Sequence, residues 1–322
     1  TIKYFIKEGV DIKIISGDNP KTIRNIVKRL GLNFNNYVDA STLSDEELKD
    51  SVDKTTIFGR VTPFQKRIII KELKRLGKTV SMVGDGVNDV LALKESDCSI
   101  ALACGSEAAY NVSNLVLLDS DFTSIPSIVE EGRRTINNIE KSASLFIVKT
   151  GYAIMLALIF MLIPYNYPFI PVQLTLTNAL TIGIPSFILA LEPNKKKVTG
   201  NFLTNVFRKA IPTSFIIVLS IMIITFLPLD FIEKSTLSLI TVGLVGFIHI
   251  YRVCYPPKRY HLVMISMLLT IFIMGILLFK KLFSLAVINF HMIITIIVIV
   301  GIAITIFNII DKIKNNYDII NK

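Results

Sequence analysis

Hydrophobic and polar positions are distributed differently in the two parts of the chain. From Thr1 to about Gly132, charged residues interrupt short apolar runs, as in a soluble globular domain. From about Ser142 onward, long apolar blocks follow one another, each long enough to cross a hydrocarbon core of about 30 Å as a helix. The pattern predicts a soluble domain, residues 1–132, and an all-α transmembrane domain, residues 133–322. The six predicted spans are about 142–163, 169–191, 210–228, 235–253, 260–279 and 286–310.

Strand-like and helix-like runs alternate in the soluble part, which predicts an α/β fold around a parallel sheet. Pro20 suits the first turn of a helix that we expect to reach Leu30. The predicted strands are 10–15, 55–58, 79–83, 99–102 and 115–118, and the other predicted helices are 63–76 and 88–95. In parallel sheets the functional turns follow the carboxyl ends of strands.

Charge supports this division and excludes one class of partner. The 322 residues carry a net charge of +10, much of it in predicted short loops such as 195–197, 208–209 and 258–259 and in the tail at Lys312 and Lys314. These positions match the positive-inside rule better than a nucleic-acid surface, although Lys280 and Lys281 on the other side are an exception. We therefore expect no nucleic-acid partner, and a multi-pass protein of the plasma membrane with its soluble domain and both termini in the cytoplasm.

Cysteine usage indicates no metal centre. Cys98, Cys104 and Cys254 form no CxxC pair and no Cys/His cluster, so reduced structural cysteines are expected. The sequence begins at Thr1 within domain-like sequence, from which we expect a truncated start.

Three polar turns follow predicted strands of the soluble part. They are Ser16-Gly17-Asp18, the segment from Arg60 to Lys66, and Gly84-Asp85-Gly86-Val87-Asn88-Asp89. A hydroxyl and backbone N–H groups can hold phosphoryl oxygens, a lysine neutralises their charge, and paired carboxylates suit Mg²⁺. Alone, a Ser-Gly-Asp turn or a lysine is usually structural or solvated, whereas two glycines with three oxygen-bearing side chains are far more specific.

Taken together, these turns resemble the phosphorylation domain of P-type ATPases, a haloacid dehalogenase-like, Rossmann-like fold. The resemblance continues into the membrane part and covers essentially the whole chain. It implies that Asp85 ligates Mg²⁺ with support from Asn88 and Asp89, and that Ser16, Gly17 and Lys66 hold the phosphoryl group. It further implies that Asp18 and Arg60 lie near the ribose and phosphates of ATP. The family usually has Thr at the position of Ser16, and the hydroxyl is kept.

The resemblance also identifies parts that this sequence lacks. The nucleophilic aspartate of the family lies in an Asp-Lys-Thr-Gly-Thr motif, and the sequence contains no such motif. The actuator domain, the nucleotide-binding domain and the first four membrane helices precede the matching region in the family. We therefore expect a carboxyl-terminal fragment with an incomplete phosphorylation domain, inactive alone and partnered by the missing amino-terminal part of the same pump.

The first two predicted spans resemble the fifth and sixth helices of calcium-type pumps, where a Pro and a Gly interrupt the sixth helix at the ion site. The resemblance makes Asn178 and Thr181 expected ion ligands. Ile182 stands where calcium pumps have an aspartate, and the two blocks contain no carboxylate between Glu140 and Glu192. Lys149 and Thr150 supply polarity instead, with Lys149 either replacing one ion or extending to the interface.

The resemblance thus implies ATP-driven cation transport through an aspartyl-phosphate intermediate, with Mg²⁺ and ATP as cofactors. Calcium or magnesium is the expected cargo, because six helices argue against the heavy-metal branch. Two alternatives stay open. A membrane-anchored haloacid dehalogenase-like phosphatase would also use the Gly-Asp-Gly-Val-Asn-Asp turn, and a non-catalytic membrane subunit could retain pump-like sequence.

Overall fold

The computed structural model describes residues 1–320, with side chains described through residue 313. Lys314, one of the charges predicted for a basic tail, lies outside the described side chains. The backbone divides into two compact units, Thr1–Val129 and Glu130–Lys322.

The first unit is an α/β domain of short elements, as the alternating pattern predicted. Its strands are β1 Ile14–Ile15, β2 Tyr37–Asp39, β3 Ile57–Gly59, β4 Ser81–Gly84, β5 Cys98–Leu102 and β6 Leu115–Leu117. Its helices are α1 Ile2–Lys7, α2 Pro20–Arg29, α3 Asp45–Ser51, α4 Pro63–Arg75, α5 Val90–Glu95 and α6 Glu107–Val112. The sequence pattern did not predict α1, α3, α6 or β2.

The strands form two parallel three-stranded sheets rather than the single sheet that was expected. Their orders are β1-β3-β2 and β4-β5-β6, so β1 and β4 each have a neighbour on one side only. One hydrophobic core nevertheless contains residues from both sheets, including Phe58 of β3, Met82 of β4 and Ala101 of β5. The two sheets are therefore parts of one folded domain, and β1, β2, β4 and β6 are their edge strands.

The first strand is shorter than predicted because a turn occupies part of its sequence. The Val10 amide donates to the Phe5 carbonyl at 2.9 Å and closes α1, so residues 10–13 do not continue the strand. The pairing that remains joins Ile14 to Ile57 and Ile15 to Phe58. Gly59 ends β3 where α2 comes very near, since an added Cβ would lie 2.5 Å from Pro20. No larger residue fits there without a shift of the helix.

Over its described residues the second unit is all-α, and six helical segments are long and apolar enough to cross a membrane. This confirms the predicted six-helix domain. The helices are α7 Ile125–Leu162, which begins in the last residues of the first unit, α8 Pro171–Asn178, α9 Ile184–Ala190, α10 Phe202–Thr225, α11 Phe231–Val253, α12 Arg259–Leu278 and α13 Phe290–Ile320. Together α8, a π-helical turn at Ala179–Gly183 and α9 make the second span.

One loop prediction was wrong. Arg208 and Lys209 lie inside α10, which begins at Phe202 and not near residue 210. The reason is local, because the Asn201 side chain caps the helix by accepting the Leu203 amide at 3.0 Å. Lys209 then binds Glu140 of α7 at 2.6 Å, so its charge is paired within the bundle.

Buried ion pairs gather at one end of the second unit, which we call the polar end. Glu192 follows α9 and is 5% exposed. It forms an ion pair with Lys141 of α7 and another with Lys258, at 3.3 Å, just before α12. The loops that follow α9 and α11 therefore lie at the same end of the bundle, as an alternating path of six spans requires.

Candidate functional sites

The first two predicted turns of the soluble part are joined by their backbones. The Ser16 carbonyl accepts the Val61 amide at 3.0 Å, and the Asp18 carbonyl accepts the Arg60 amide at 2.8 Å. The Ser16 hydroxyl in turn accepts the Asp18 amide at 3.2 Å, which shapes the Ser16-Gly17-Asp18 turn. Arg60 has a φ of 53°, an unusual backbone conformation for a residue with a side chain. The structure thus brings Ser16, Asp18 and the Arg60 backbone together at the carboxyl ends of β1 and β3.

Helix α4 connects these turns to the third one. Thr62 caps the helix and forms a capping box with Gln65, so the first turn of α4 starts immediately after the Val61 contact. One turn later, the Lys66 ammonium lies 2.6 Å from a carboxylate oxygen of Asp89, with both side chains 11% exposed. Lys66 is therefore not a solvated surface lysine. The pair links α4 to the Gly84–Asp89 turn at the same edge of the domain.

Asp85 is held by its backbone while its side chain stays exposed. The Asp85 carbonyl accepts the Ser106 amide at 2.7 Å, and a Cβ at Gly105 would lie 2.3 Å from that carbonyl. The side chains of Asp85 and Asn88 are exposed and have no hydrogen-bond or ion-pair partner among the described residues. Two side chains in the expected Mg²⁺ group are thus available to a ligand, whereas one carboxylate oxygen of Asp89 already binds Lys66.

The Gly84–Asp89 turn is suited to a Mg²⁺ that takes only some of its ligands from the protein. The described residues contain no group of three or more His, Cys, Asp or Glu that could hold a metal alone. Mg²⁺ needs no such cage, because it is commonly bound by one or two carboxylates together with water and substrate phosphates. Asp85 and Asp89 provide that number. These residues fit a Mg²⁺ that is shared with a phosphorylated substrate.

Asp39 is a further candidate site residue that the sequence reasoning missed, because β2 was not predicted. It lies at the end of β2, and its carboxylate is 3.2 Å from the Arg60 guanidinium. Hydrogen bonds from Ser41 hold the pKa of Asp39 below its ordinary value, and the Arg60 charge adds to that effect. Arg60 is therefore oriented by a carboxylate, although its own side chain remains 51% exposed.

In the membrane unit, the second span is interrupted where the Pro and Gly predicted it. The interruption is a π-helical turn at Ala179–Gly183, directly after Asn178. Such turns leave the regular hydrogen-bond pattern and are frequent at functional sites. The Asn178 side-chain oxygen is buried and has no partner among the described residues, and the Thr181 hydroxyl donates to the Thr177 carbonyl at 2.7 Å. Both expected ligands therefore lie at an irregular and buried part of the span.

The two polar residues predicted on α7 lie in different surroundings. Lys149 and Thr181 line the same small cavity of about 20 Å³, which is enough for one water molecule. Thr150 is exposed on the described bundle, and its hydroxyl donates to the Phe146 carbonyl of its own helix at 3.2 Å. The structure therefore brings Lys149 to Thr181 but does not bring Thr150 to them.

Helix α11 contributes polar residues that the sequence reasoning missed. Ser235 donates to the Gln173 side chain at 2.6 Å, while Ser238 and Thr241 are fully buried with hydroxyls that have no partner among the described residues. Further along α11, a Cβ at Gly246 would lie 3.0 Å from Thr181. The signal was present in the sequence, since Ser235, Ser238 and Thr241 recur every three residues within an apolar block.

His249 of α11 also lines the small cavity. Its Nδ1 atom lies 2.9 Å from the Thr213 hydroxyl of α10, and its Nε2 atom is buried with no partner in the part of the chain that the structure describes. A buried polar atom without a partner costs about 1–3 kcal/mol, so a group of them calls for an explanation. Asn178, Ser238, Thr241 and His249 each have such an atom among the described residues. Together with Thr181, whose hydroxyl donates to the Thr177 carbonyl, we call them the polar seam of the membrane unit.

Comparison with known proteins agrees with both halves of this description. A family model for haloacid dehalogenase-like hydrolases matches residues 1–97. The chain is 41% identical over 281 residues to a protein of Streptococcus pneumoniae named probable cation-transporting ATPase exp7, with 82% of this chain and 36% of that protein covered. It is 37% identical over 308 residues to the calcium-transporting ATPase CtpE of Mycolicibacterium smegmatis, with 88% and 39% covered.

The first unit is thus a haloacid dehalogenase-like domain joined to six membrane-capable helices. The chain belongs to the family of P-type cation-transporting ATPases. It spans less than half the length of these two relatives. A solved catalytic domain of the CPx-ATPase CopB-B covers 39% of this chain and 42% of its own at 27% identity, and its TM-score of 0.31 is too low to support a structural argument.

Proposed function

We propose that the full-length protein is an ATP-driven cation pump that forms an aspartyl phosphate. The observation that carries this proposal is the Lys66–Asp89 pair beside exposed Asp85, in a chain 41% identical to a probable cation-transporting ATPase. In the proposal, Ser16 and the Gly17 amide hold phosphoryl oxygens, and Lys66 neutralises their charge. Asp18 and Arg60 contact the nucleotide, with Asp39 orienting Arg60.

The nucleophile and the nucleotide-binding domain lie outside this sequence in the proposal. The open edges of β1 and β4 support it, because both strands end at the polar turns and each can accept another strand. A Mg²⁺ held by Asp85 and Asp89, with Asn88 beside them, would supply charge stabilisation at the transferred phosphoryl group. The contribution of this chain is to position these side chains on rigid turns.

The proposed cargo site is the polar seam together with Lys149. Hydroxyl and amide oxygens are hard ligands, which favours Ca²⁺ or Mg²⁺ over soft metals, and a relative is named for calcium transport. The seam contains no carboxylate, so a cation bound there also needs ligands from elsewhere in the pump. We further propose that the polar end and the first unit are cytoplasmic, because the loops there are basic.

The test is phosphoenzyme formation from ATP by the full-length protein carrying Asp85→Asn. We expect a loss of roughly 10²–10³-fold in the rate, because a charged group that acts on the phosphoryl transfer is removed. The Asp119→Asn variant is the control, since Asp119 is an acidic residue on the turn after β6 and outside the proposed site. The stability of both variants should equal that of the unaltered protein, as Asp85 is exposed and unpaired. Normal phosphoenzyme levels in Asp85→Asn would contradict the assignment.

A further inference from the structure

A large open groove crosses the surface of the membrane unit near its polar end. Its walls are the first part of α10 and the last parts of α11 and α13, with two residues of α12. Its volume is about 1900 Å³, well beyond the roughly 300–1,000 Å³ of sites for small molecules. The polar seam and the phosphorylation residues, except His249, are not part of this groove. We call it the basic groove.

Most of the groove is apolar, as the surface of membrane-spanning helices should be. The large side chains that line it include Phe207, Leu244, Phe247, Leu269, Ile304 and Phe307. Of these, Leu244, Leu269 and Ile304 lie within the apolar spans, away from the polar end, where the helices are expected to meet hydrocarbon. This part of the groove is suited to acyl chains.

The end of the groove near the polar end is positively charged. Arg208, Lys209 and Arg252 line it, and Asp311 is the single carboxylate among its described lining residues. Lys209 is bound to Glu140 at 2.6 Å, while Arg252 is bound to Asp311 at 2.5 Å and lies 4.1 Å from the centre of the Phe307 ring. Tyr251 and Tyr255 complete the rim, and both are exposed as interfacial aromatic residues commonly are.

We propose that the basic groove binds an anionic phospholipid, with its phosphate among the three cations and its acyl chains along the apolar wall. Charge complementarity selects this occupant, because basic pockets between membrane helices attract anionic headgroups. A zwitterionic lipid could place its acyl chains along the same apolar wall, but its headgroup would gain little electrostatic attraction from the net positive charge. The proposal concerns the membrane unit alone and does not depend on the pump reaction.

The test is native mass spectrometry of the delipidated full-length protein titrated with phosphatidylglycerol or with phosphatidylcholine. We expect phosphatidylglycerol to bind at least about tenfold more tightly than phosphatidylcholine. Each of the variants Arg208→Gln and Arg252→Gln should weaken its binding about fivefold, which corresponds to about 1 kcal/mol for a basic residue near an anionic lipid. Lys280→Gln with Lys281→Gln, two exposed cations between α12 and α13 at the other end of the bundle, should leave the binding unchanged.

A steric pair of variants tests the position of the acyl chains. Ile304 and Ile302 lie on the same helix and are 43% and 41% exposed, but only Ile304 lines the groove. Ile304→Trp should lower phosphatidylglycerol binding, whereas Ile302→Trp should not. Equal binding of the two lipids, or equal effects of the two tryptophans, would overturn the proposal. Failure of any lipid to bind because another helix or a second copy covers the groove would overturn it as well.

Discussion

Asp85 in the first unit and Thr241 in the membrane unit both lack a hydrogen-bond partner among the described residues, but their surroundings differ. Asp85 is exposed, so water satisfies its carboxylate and its lack of a partner costs the fold nothing. Thr241 is fully buried within the bundle, where an unsatisfied hydroxyl is destabilising. The comparison teaches that an unpartnered side chain is informative about function mainly where solvent cannot reach it.

The two units also differ in where they place charged side chains. The first unit keeps its Lys66–Asp89 pair within the candidate site, at the edge where the exposed Asp85 lies. In the membrane unit, the carboxylates Glu140 and Glu192 stand at the polar end, each bound to lysine, while the polar seam has neutral groups only. Charge is costly at membrane depth, so it is placed where pairing or water is available.

The largest effect is expected at Glu192. Its carboxylate contacts Lys141, Lys258 at 3.3 Å and His261 at 3.5 Å, and its side chain is 3% exposed. Glu192→Gln leaves Lys141 and Lys258 without a counter-charge, so the free energy of unfolding should fall by about 3–5 kcal/mol. Chemical unfolding in detergent measures this loss. The control is Glu130→Gln, which removes a solvent-exposed pair with Lys195 and should change little. Equal losses in the two variants would mean that burial does not decide the effect.

The same carboxylate predicts a pH dependence. Burial would raise the pKa of Glu192, but hydrogen bonds from Lys141 and Tyr260 together with the nearby charges lower it from 4.5 to about 2. A carboxyl with a lowered pKa stabilises the fold above its unfolded value, and this contribution is lost as the pH falls through the folded value. The melting temperature of the membrane unit should therefore drop between pH 4.5 and about 2. The drop should be smaller in Glu192→Gln, and an identical profile would exclude Glu192 as its source.

The smallest effect has the opposite sign. Thr241→Val removes a buried hydroxyl without a partner, so the free energy of unfolding should rise by about 1 kcal/mol. Thr236→Val is the matched change on α11, where the hydroxyl accepts the Ala286 amide at 2.9 Å, and it should lower stability by a similar amount. If Thr241 belongs to the cargo site, its variant should also weaken cation activation of ATP hydrolysis. A loss of stability in Thr241→Val would show that its hydroxyl is already satisfied.

The polar turns of the first unit were predictable because they follow apolar runs and carry rare combinations of Gly and Asp. Ser16, Asp85 and Asp89 were found in this way, and Lys66 as part of the polar segment that follows the second predicted strand. Asp39 was not found, because its strand is three residues long and carries little pattern. Ser238 and Thr241 were passed over because hydroxyl residues are common in apolar helices, where they can bond to their own backbone.

The amino-acid sequence by itself determined the α/β domain, the six apolar spans and the chemistry of the turns, because these depend on local patterns of a few to about 20 residues. Only the tertiary structure decided that the strands form two sheets, that Lys66 binds Asp89 and that Glu192 joins Lys141 to Lys258. It also decided which hydroxyls of α11 are left without partners. Those features depend on contacts between residues far apart in the chain, which no local pattern specifies.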